Sequence, residues 1–263
     1  MTSDEQFMQA ALDLAATAEG RTRPNPAVGA LVVKNGRVIG EGFHPAAGQP
    51  HAEIFALRQA GAKARGATLY VTLEPCSHTG RTGPCADAVI AAGLARVVVA
   101  TVDPNPLVSG RGLERLRQAG IAVETGVLEG AARRLIAPFA KHVSSGLPFV
   151  VLKAGMTLDG MTATVGGDSR WITNPSSRNL VHQLRDKVDA ILVGVGTVLQ
   201  DNPLLTTRLP QGGRNPLRVV VDSQLRIQED AALLETGQEL ATLIVTTAAA
   251  PPGSPPAPPD GSG

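Results

Sequence analysis

The chain has 263 residues, of which 43% are hydrophobic and 18% charged, and its formal net charge is +1. This length allows one large or two ordinary globular domains. The near-neutral charge and an aromatic content of 3% argue against a nucleic-acid partner and against binding to an anionic membrane. No apolar run reaches the roughly 18 residues of a membrane helix. The acidic N-terminus does not resemble a signal peptide, so we expect a cytoplasmic protein.

The first half of the chain alternates between helix and strand patterns. Ser3 and Gln6 predict a capping box that opens a helix ending near Ala18. Asn35-Gly36 between two apolar runs predicts a β-hairpin. Further predicted elements are a helix at 51–60, a strand at 68–73, a helix at 85–92, a strand at 96–101, a helix at 112–118, a strand at 122–124 and a helix at 131–142. This alternation predicts a mainly parallel α/β sandwich.

Residues 144–148 have the composition of a linker, and a second α/β pattern follows them. Its predicted elements are a strand at 149–153, a helix at 175–185, and strands at 190–195, 217–221 and 242–245. Residues 251–263 consist mostly of Pro, Gly and Ser and are predicted to be disordered. The predicted domains are therefore 1–145 and 148–250, followed by a tail at 251–263.

His51, Glu53, Cys76 and Cys85 form a candidate metal centre. His51 and Cys85 each open a predicted helix, whose N-terminal partial positive charge favours the thiolate that binds zinc, and Cys76 follows a predicted strand. One histidine and two cysteines leave the fourth position on zinc to water, as in catalytic sites. We therefore predict His51, Cys76 and Cys85 as zinc ligands. Glu53 is predicted as the catalytic acid/base, in the pattern of zinc deaminases.

Simpler interpretations exist for each of these residues. Alone, His51 would be a helix cap, Glu53 a solvated helix residue, and either cysteine a buried apolar residue. A purely structural zinc site needs a fourth protein ligand, for which His78 is the candidate. The chain's only two cysteines both lie at strand-to-helix positions downstream of His-Ala-Glu, which favours the catalytic interpretation.

The spacing of the cysteines departs from the common deaminase signature. Eight residues separate Cys76 from Cys85, where two are usual. The loop Pro75-Cys76-Ser77-His78-Thr79-Gly80-Arg81-Thr82-Gly83-Pro84-Cys85 closely resembles that of the bifunctional deaminase/reductase family of riboflavin biosynthesis. Asn25-Pro26-Ala27-Val28-Gly29 and the segment DPNPLVSGRG at 103–112 resemble the same family.

This resemblance implies an activity and a substrate for the first half. Members of the family deaminate the 2-amino group of 2,5-diamino-6-(5-phosphoribosylamino)pyrimidin-4-one, a phosphoribosylated pyrimidine, to the matching uracil. Water activated by zinc would attack C2, with Glu53 relaying the proton. The resemblance also implies that Asn25, His78 and Arg81 contact the substrate. Without the resemblance, Asn25, which precedes a proline, would be interpreted as a turn former. Arg81, a single arginine in a loop, would be interpreted as a solvated residue.

From Pro148 onward the chain resembles the reductase domain of that family, a dihydrofolate-reductase-like α/β fold that uses NADPH. The matching segments are 153–160, 169–173, 194–198 and 201–203. The residues implied to contact the nicotinamide cofactor are Ala154, Trp171, Thr197, Asp201 and Ser223. Those implied to hold the substrate are Ser169, Arg185, Leu204 and Arg208.

Elementary chemistry supports these second-half assignments less strongly. Gly194-Val195-Gly196 after an apolar strand lets the backbone approach a ligand, and Arg185 and Arg208 suit a phosphate. Alternatively, the glycines form a tight turn and Trp171 packs in the core. Arg185, near a helix C-terminus, would then compensate the helix dipole.

The reductase of that family continues beyond the point where this chain enters its Pro/Gly/Ser segment. We therefore expect a cytidine-deaminase-like α/β/α sandwich followed by a C-terminally incomplete dihydrofolate-reductase-like α/β domain. An incomplete domain would have an open sheet edge and a small core, which would impair or abolish the reductase and would favour homo-oligomers.

Two other functions stay open. One is a cytidine or tRNA-adenosine type of zinc deaminase, against which the long cysteine loop, the reductase-like half and the lack of basic charge all count. The other is a zinc-stabilised scaffold without catalysis. Glu53→Ala separates the enzymatic from the structural interpretation.

Overall fold

The structure, a computed structural model, describes residues 1–77, 83–106, 108–236 and 240–248. The chain divides into two compact units, unit 1 (Met1–Leu152) and unit 2 (Lys153–Gly263). The tail predicted at 251–263 lies outside the described residues. Among those that are described, no helix is both long and apolar enough to traverse a bilayer.

Unit 1 is built on a five-stranded sheet with the strand order β2-β1-β3-β4-β5. Its strands are β1 (Gly29–Lys34), β2 (Arg37–Phe43), β3 (Thr68–Leu73), β4 (Arg96–Thr101) and β5 (Ala122–Thr125). Its helices are α1 (Ser3–Thr17), α2 (Ala52–Ala60), α3 (Cys85–Ala91), α4 (Arg111–Gln118), α5 (Glu129–Leu135) and α6 (Ala137–Ser145). A short 3₁₀-helix, Gly61–Ala64, follows α2.

Four of the five strands of unit 1 run in the same direction, as the prediction of a mainly parallel sandwich requires, and β1 makes the sheet mixed. β1 pairs antiparallel with both β2 and β3, whereas the pairs β3–β4 and β4–β5 are parallel. The cause is the hairpin, in which Asn35 and Gly36 both have positive φ, 51° and 71°. Because β1 lies between β2 and β3, it alone runs against the direction of the other strands.

Helices cover both faces of this sheet, as the alternation of side chains along β1 requires. Leu31 and Val33 belong to a core shared with α1 and α5, whereas Ala30 and Val32 belong to a core shared with α2, α3 and α4. The predicted α/β/α sandwich is therefore confirmed.

Two local predictions in unit 1 need correction. The capping box of α1 uses Thr2 and Glu5, one residue before the predicted pair: Glu5 N donates to Thr2 Oγ1 at 3.2 Å, and Thr2 N donates to Glu5 Oε2 at 2.8 Å. The helix predicted at 131–142 is divided into α5 and α6. Pro138 explains the division, because it has no N–H to continue the hydrogen bonds of α5.

Unit 2 contains a three-stranded parallel sheet, ordered β6-β7-β8, and three helices within its described residues. The strands are β6 (Ala190–Gly194), β7 (Leu217–Val221) and β8 (Thr242–Val245). The helices are α7 (Pro175–Lys187), α8 (Val195–Asp201) and α9 (Ala232–Glu235). The buried apolar cluster is small, and its members are Val195, Val198, Val220, Ala231 and Leu233.

The strand predicted at 149–153 is not formed, and this prediction was wrong. These residues belong to no helix or strand, and Leu152 is 94% exposed. A strand is stabilised by its neighbours, and the described residues provide no strand that pairs with this apolar run. Apolar composition alone therefore did not determine its structure.

Candidate active site

The three predicted metal ligands lie together in unit 1. His51 Nδ1 is 3.1 Å from Cys85 Sγ and 3.6 Å from Cys76 Sγ, and the potential ligand atoms all lie within 4.8 Å of one another. One imidazole nitrogen and two sulfurs at these distances fit zinc, whose bonds to such atoms are about 2.0–2.3 Å long. Among the described residues, no further histidine, cysteine or carboxylate belongs to this cluster as a fourth ligand.

Each ligand is held by the end of a secondary-structure element. His51 is the N-cap of α2, Cys85 is the first residue of α3, and Cys76 follows the carboxyl end of β3. The backbone N–H of Cys85 donates to Cys76 Sγ at 3.3 Å. The amide at the start of α3 therefore favours the thiolate at Cys76.

The electrostatics of the two thiols differ from the sequence expectation. A hydrogen bond from the Cys85 side chain, together with contacts from His51, lowers the pKa of Cys76 to about 4. The same hydrogen bond and burial raise the pKa of Cys85, although Cys85 stands at a helix N-terminus. The first backbone N–H of α3 thus favours the thiolate of Cys76, whereas Cys85 keeps its proton in the hydrogen bond between the two side chains. The hydrogen bond with Cys76 also raises the pKa of His51.

Glu53 is buried in the first turn of α2, with 3% of its surface exposed. Burial raises its pKa from 4.5 to about 7, against smaller opposing effects that include the charge of His51. A carboxyl group with a pKa near neutrality can both accept and return a proton at physiological pH. This is the property that an acid/base residue beside the metal cluster requires.

Asn25, predicted to contact substrate, is half-buried near the cluster. Its side-chain nitrogen is 3.0 Å from Nε2 of His44, a buried residue that the sequence analysis did not identify. The ring of His44 stands edge-on to that of His51, with centroids 5.3 Å apart. Burial lowers the pKa of His44, which favours the neutral form of its ring. The predicted residues His78 and Arg81 lie outside the described residues.

The buried carboxylate of Glu74 is a second feature that sequence reasoning missed. It follows β3 and accepts backbone N–H groups at both oxygens: Asp103 and Gly110 at Oε2, and Gly112 and Leu113 at Oε1, over 2.8–3.4 Å. A Cβ on Gly112 would lie 2.0 Å from the carbonyl oxygen of Pro75, the residue before Cys76. Glu74 thereby holds the segment that leads into α4 against Pro75, the neighbour of the predicted metal ligand Cys76.

The five predicted cofactor contacts in unit 2 lie in separate segments of its sequence and are mostly exposed. Thr197 and Ser223 follow β6 and β7, at the carboxyl edge where α/β sheets bind ligands. Ala154 and Trp171 lie in the segment before α7, which has no helix or strand. Four of the five side chains are exposed, with Asp201 the half-buried exception.

Trp171 is not a core residue, contrary to one interpretation of the sequence. Its side chain is 71% exposed, and the guanidinium of Arg178 lies 4.5 Å from its ring centroid. Ser169, a predicted substrate contact, lines an open polar cleft together with Asp201. The guanidinium of Arg170 donates to the carbonyl oxygen of Asp201 at 2.7 Å and helps to shape this cleft.

The remaining predicted substrate contacts include two arginines that converge on Thr206. Arg185 Nη1 donates to the carbonyl oxygen of Thr206 at 3.0 Å, and Arg208 Nη1 donates to its Oγ1 at 3.1 Å. Burial and the charge of Arg208 lower the pKa of Arg185. Such mutual repulsion would be relieved by an anion, which suits a phosphate group. The carbonyl oxygen of Leu204, the fourth predicted contact, accepts from Arg218 at 3.4 Å.

In the comparison with known proteins, the two halves of the chain match two different protein families. Residues 1–101 match the cytidine and deoxycytidylate deaminase zinc-binding region, and residues 148–254 match the RibD C-terminal domain. Riboflavin biosynthesis protein RibD from Aquifex aeolicus (strain VF5) is 51% identical over 243 residues, which cover 92% of this chain and 68% of the relative. The chain belongs to the RibD family.

Other members of the family are similar to this chain to a comparable extent. RibD from Escherichia coli (strain K12) is 52% identical over 236 residues, covering 85% of this chain and 64% of the relative. A diaminohydroxyphosphoribosylaminopyrimidine deaminase/5-amino-6-(5-phosphoribosylamino)uracil reductase from Thermotoga maritima is 47% identical, with a TM-score of 0.87. That match covers 94% of this chain and 71% of the Thermotoga chain. The chain thus spans about two thirds of the length of these curated relatives.

Membership confirms the resemblance inferred from the cysteine loop and the order of the two domains. The RibD family consists of deaminase/reductase enzymes of riboflavin biosynthesis that act on small molecules. Its cofactors are zinc, for the deaminase region, and NADPH, for the reductase domain.

Proposed function

We propose that residues 1–145 form a deaminase domain that converts 2,5-diamino-6-(5-phosphoribosylamino)pyrimidin-4-one and water to 5-amino-6-(5-phosphoribosylamino)uracil and ammonia. The observation that carries this proposal is the convergence of His51 Nδ1 with the sulfurs of Cys76 and Cys85. The same site contains the buried carboxyl of Glu53. The substrate itself is taken from the family resemblance.

The residues divide the chemistry between them. When bound by His51, Cys76 and Cys85, zinc supplies a Lewis acid that lowers the pKa of a water molecule. Glu53 takes one proton from the attacking water and gives it to a ring nitrogen. It then takes the second proton from the new C2 hydroxyl and gives it to the leaving amine. A C2–O bond forms and the C2–N bond to the amino group breaks, so ammonia leaves. The pKa of Glu53, raised by burial to about 7, suits both proton transfers.

The Glu53→Ala variant tests this proposal. We expect ammonia release from the diaminopyrimidine phosphate to fall by about 10²–10⁴-fold, the usual contribution of a positioned acid/base group. Bound zinc should remain near one equivalent, because Glu53 is not among the clustered ligand atoms.

His51→Ala is the matched control in the same helix turn. It should lose both zinc and activity, because it removes one of three ligands. Zinc bound by the wild-type chain without ammonia release would instead support the non-catalytic scaffold. Faster release from cytidine or from tRNA adenosine would support the alternative deaminase class.

For residues 148–250 we propose a domain that resembles the NADPH-dependent reductase but is impaired in reducing the ribosyl group to ribityl. The exposure of Ala154, Trp171, Thr197 and Ser223 supports this proposal, because these side chains lie open to solvent and not in an enclosed cofactor pocket. The small buried core of the described part of unit 2 also supports it.

We also propose a cytoplasmic location and self-association of the chain. Both cysteines are free and face one another as metal ligands, which suits a reducing compartment. Apolar side chains such as Leu192 and Leu243 are exposed on the sheet of unit 2, and contact with a second copy would bury them. Light scattering over a range of protein concentrations tests the association.

A further inference from the structure

His44 and Asn25 form a hydrogen-bonded pair next to the metal-ligand cluster. His44 is 2% exposed, and its backbone N–H donates to the carbonyl oxygen of Val28 at 2.9 Å. Its ring lies edge-on to that of His51, at 5.3 Å between centroids. The pair therefore stands close to the place where a substrate would meet the metal.

The partners of the His44 ring determine the direction of both hydrogen bonds. Nδ1 is 3.0 Å from the carbonyl oxygen of Pro50, which can only accept, so Nδ1 carries the hydrogen. In a neutral imidazole, Nε2 is then the acceptor. It lies 3.0 Å from the side-chain nitrogen of Asn25, which must donate to it.

The rest of Asn25 is also held. Its backbone N–H donates to the carbonyl oxygen of Thr22 at 2.9 Å, and Thr22 Oγ1 donates to the carbonyl oxygen of Asn25 at 2.8 Å. Among the described residues, Oδ1 of Asn25 has no hydrogen-bond partner in the structure, and the side chain is only half-buried. The orientation of the Asn25 amide is thus fixed, and its acceptor oxygen Oδ1 is available to another hydrogen-bond donor.

We infer that His44 is a positioning residue, which turns the amide of Asn25 so that Oδ1 accepts a hydrogen bond from an N–H or O–H group of the substrate. The inference rests on the proposed deaminase function. If the amide were turned the other way, it would present two donors and would select a carbonyl or phosphate oxygen instead. His44 thereby sets which chemical group Asn25 recognises, although His44 itself need not contact the substrate.

Two substitutions at His44 separate its two hydrogen bonds. In His44→Gln the side-chain oxygen can reach the position of Nε2 and accept from Asn25. In His44→Asn the shorter amide can donate to Pro50 but does not reach Asn25. We expect His44→Asn to raise the KM for the diaminopyrimidine phosphate by about tenfold with a smaller change in kcat, the effect of one misplaced hydrogen bond. His44→Gln should restore most of the lost affinity, and both variants should keep one equivalent of zinc.

A double-mutant cycle decides whether His44 acts through Asn25. Asn25→Ala alone should raise KM by a similar factor, and adding His44→Asn to it should cause no further change. Multiplied effects in the double variant, or equal KM values for His44→Gln and His44→Asn, would overturn the inference. Loss of zinc or unfolding in both His44 variants would assign His44 a structural role and overturn it too. A wild-type chain that binds zinc but releases no ammonia would contradict the proposed function itself, an outcome distinct from these.

Discussion

Gly42 on β2 lies against the carbonyl oxygen of Ala52, so closely that a Cβ at Gly42 would be 2.5 Å from that oxygen and 2.5 Å from Phe55 Cβ. Ala52 stands between His51 and Glu53 in the chain. The missing side chain of Gly42 therefore sets how closely the first turn of α2 approaches the sheet, and with it the position of a metal ligand and of the acid/base residue.

Gly42→Ala should displace this turn. We expect a loss of about 1–3 kcal/mol in the free energy of unfolding, as for other overpacked sites. At a temperature where the variant is folded, kcat for deamination and zinc occupancy should also fall. Gly29→Ala is the control, because its Cβ would be 2.0 Å from the carbonyl oxygen of Ala11 in α1. It should destabilise the fold but leave kcat per folded molecule unchanged, and equal loss of kcat in both variants would refute the positional role of Gly42.

Zinc should stabilise the wild-type chain and not a variant that lacks a ligand. Metal that binds only the folded state adds about 1.4 kcal/mol for each tenfold excess over its Kd. We expect added zinc to raise the Tm of wild-type protein and a chelator to lower it, whereas Cys85→Ser should respond to neither. Glu53→Ala should respond as wild type does. A Cys85→Ser variant with wild-type zinc dependence would exclude this cysteine from the ligand set.

Glu74→Gln should be among the most destabilising single changes in unit 1. The carboxylate accepts N–H groups of Asp103, Gly110, Gly112 and Leu113, and an amide would place a donor against some of these donors. Hydrogen bonds to charged groups contribute about 1.5–3 kcal/mol each, so we expect a loss of about 3 kcal/mol in urea unfolding. The control is Glu124→Gln: Glu124 is 51% exposed and pairs with Arg96 at the surface. It should cost less than about 1 kcal/mol, and similar losses in the two variants would contradict the buried-carboxylate explanation.

The contrast between Glu74 and the metal ligands shows what the sequence could predict. Cys76 and Cys85 are rare residue types placed at local strand-to-helix signals, so their pattern was visible without a structure. The partners of Glu74 are backbone groups 29–39 positions away, which no local pattern reveals. His44 could not be identified from the sequence for the same reason, since the role inferred for it depends on Asn25, which lies 19 positions earlier in the chain.

The strand predictions succeeded or failed for the same reason: local apolar runs are visible in the sequence, whereas pairing between distant segments is not. The bounds of β3, β4, β7 and β8 agree with the continuous apolar runs that predicted them. The run at 149–153 has a similar composition but no pairing strand among the described residues, and it stays irregular. The direction of β1 could have been inferred from its hairpin, but its place between β2 and β3 depends on pairing across the whole sheet.

Asp4 should stabilise the fold in a pH-dependent way. Hydrogen bonds from Arg96 and from Tyr70 lower the pKa of Asp4 below 3.8. A lowered carboxyl pKa contributes stability that is complete above the unfolded value, near 3.8, and is lost as the pH falls through the folded value. We expect Asp4→Asn to cost about 1 kcal/mol at pH 7, a value kept small because both partners are partly exposed.

The difference between wild-type protein and Asp4→Asn should shrink as the pH falls below 3.8. Urea unfolding at several pH values measures it, with a chelator present so that zinc release does not contribute. Asp13→Asn provides the control, since within the described part of the chain the Asp13 carboxylate accepts only from Gln9, on the exposed side of α1. A difference for Asp4→Asn that stays constant down to pH 3 would show that its ionisation is not linked to folding.

Unit 2 should fail to reduce the deaminated product with NADPH. Trp171 and Thr197 are exposed, and the apolar side chains of Leu192 and Leu243 remain in contact with water. A hydride donor needs its nicotinamide held within van der Waals distance of the sugar carbon, and side chains open to solvent do not provide an enclosed site for it. We expect no NADPH oxidation above the rate without protein, in a sample that releases ammonia normally. Trp171 is the chain's only tryptophan, so its fluorescence should also be insensitive to NADPH. Turnover of NADPH at the rate of deamination, or quenching of Trp171 that saturates with the cofactor, would show that the side chains converge when the cofactor binds.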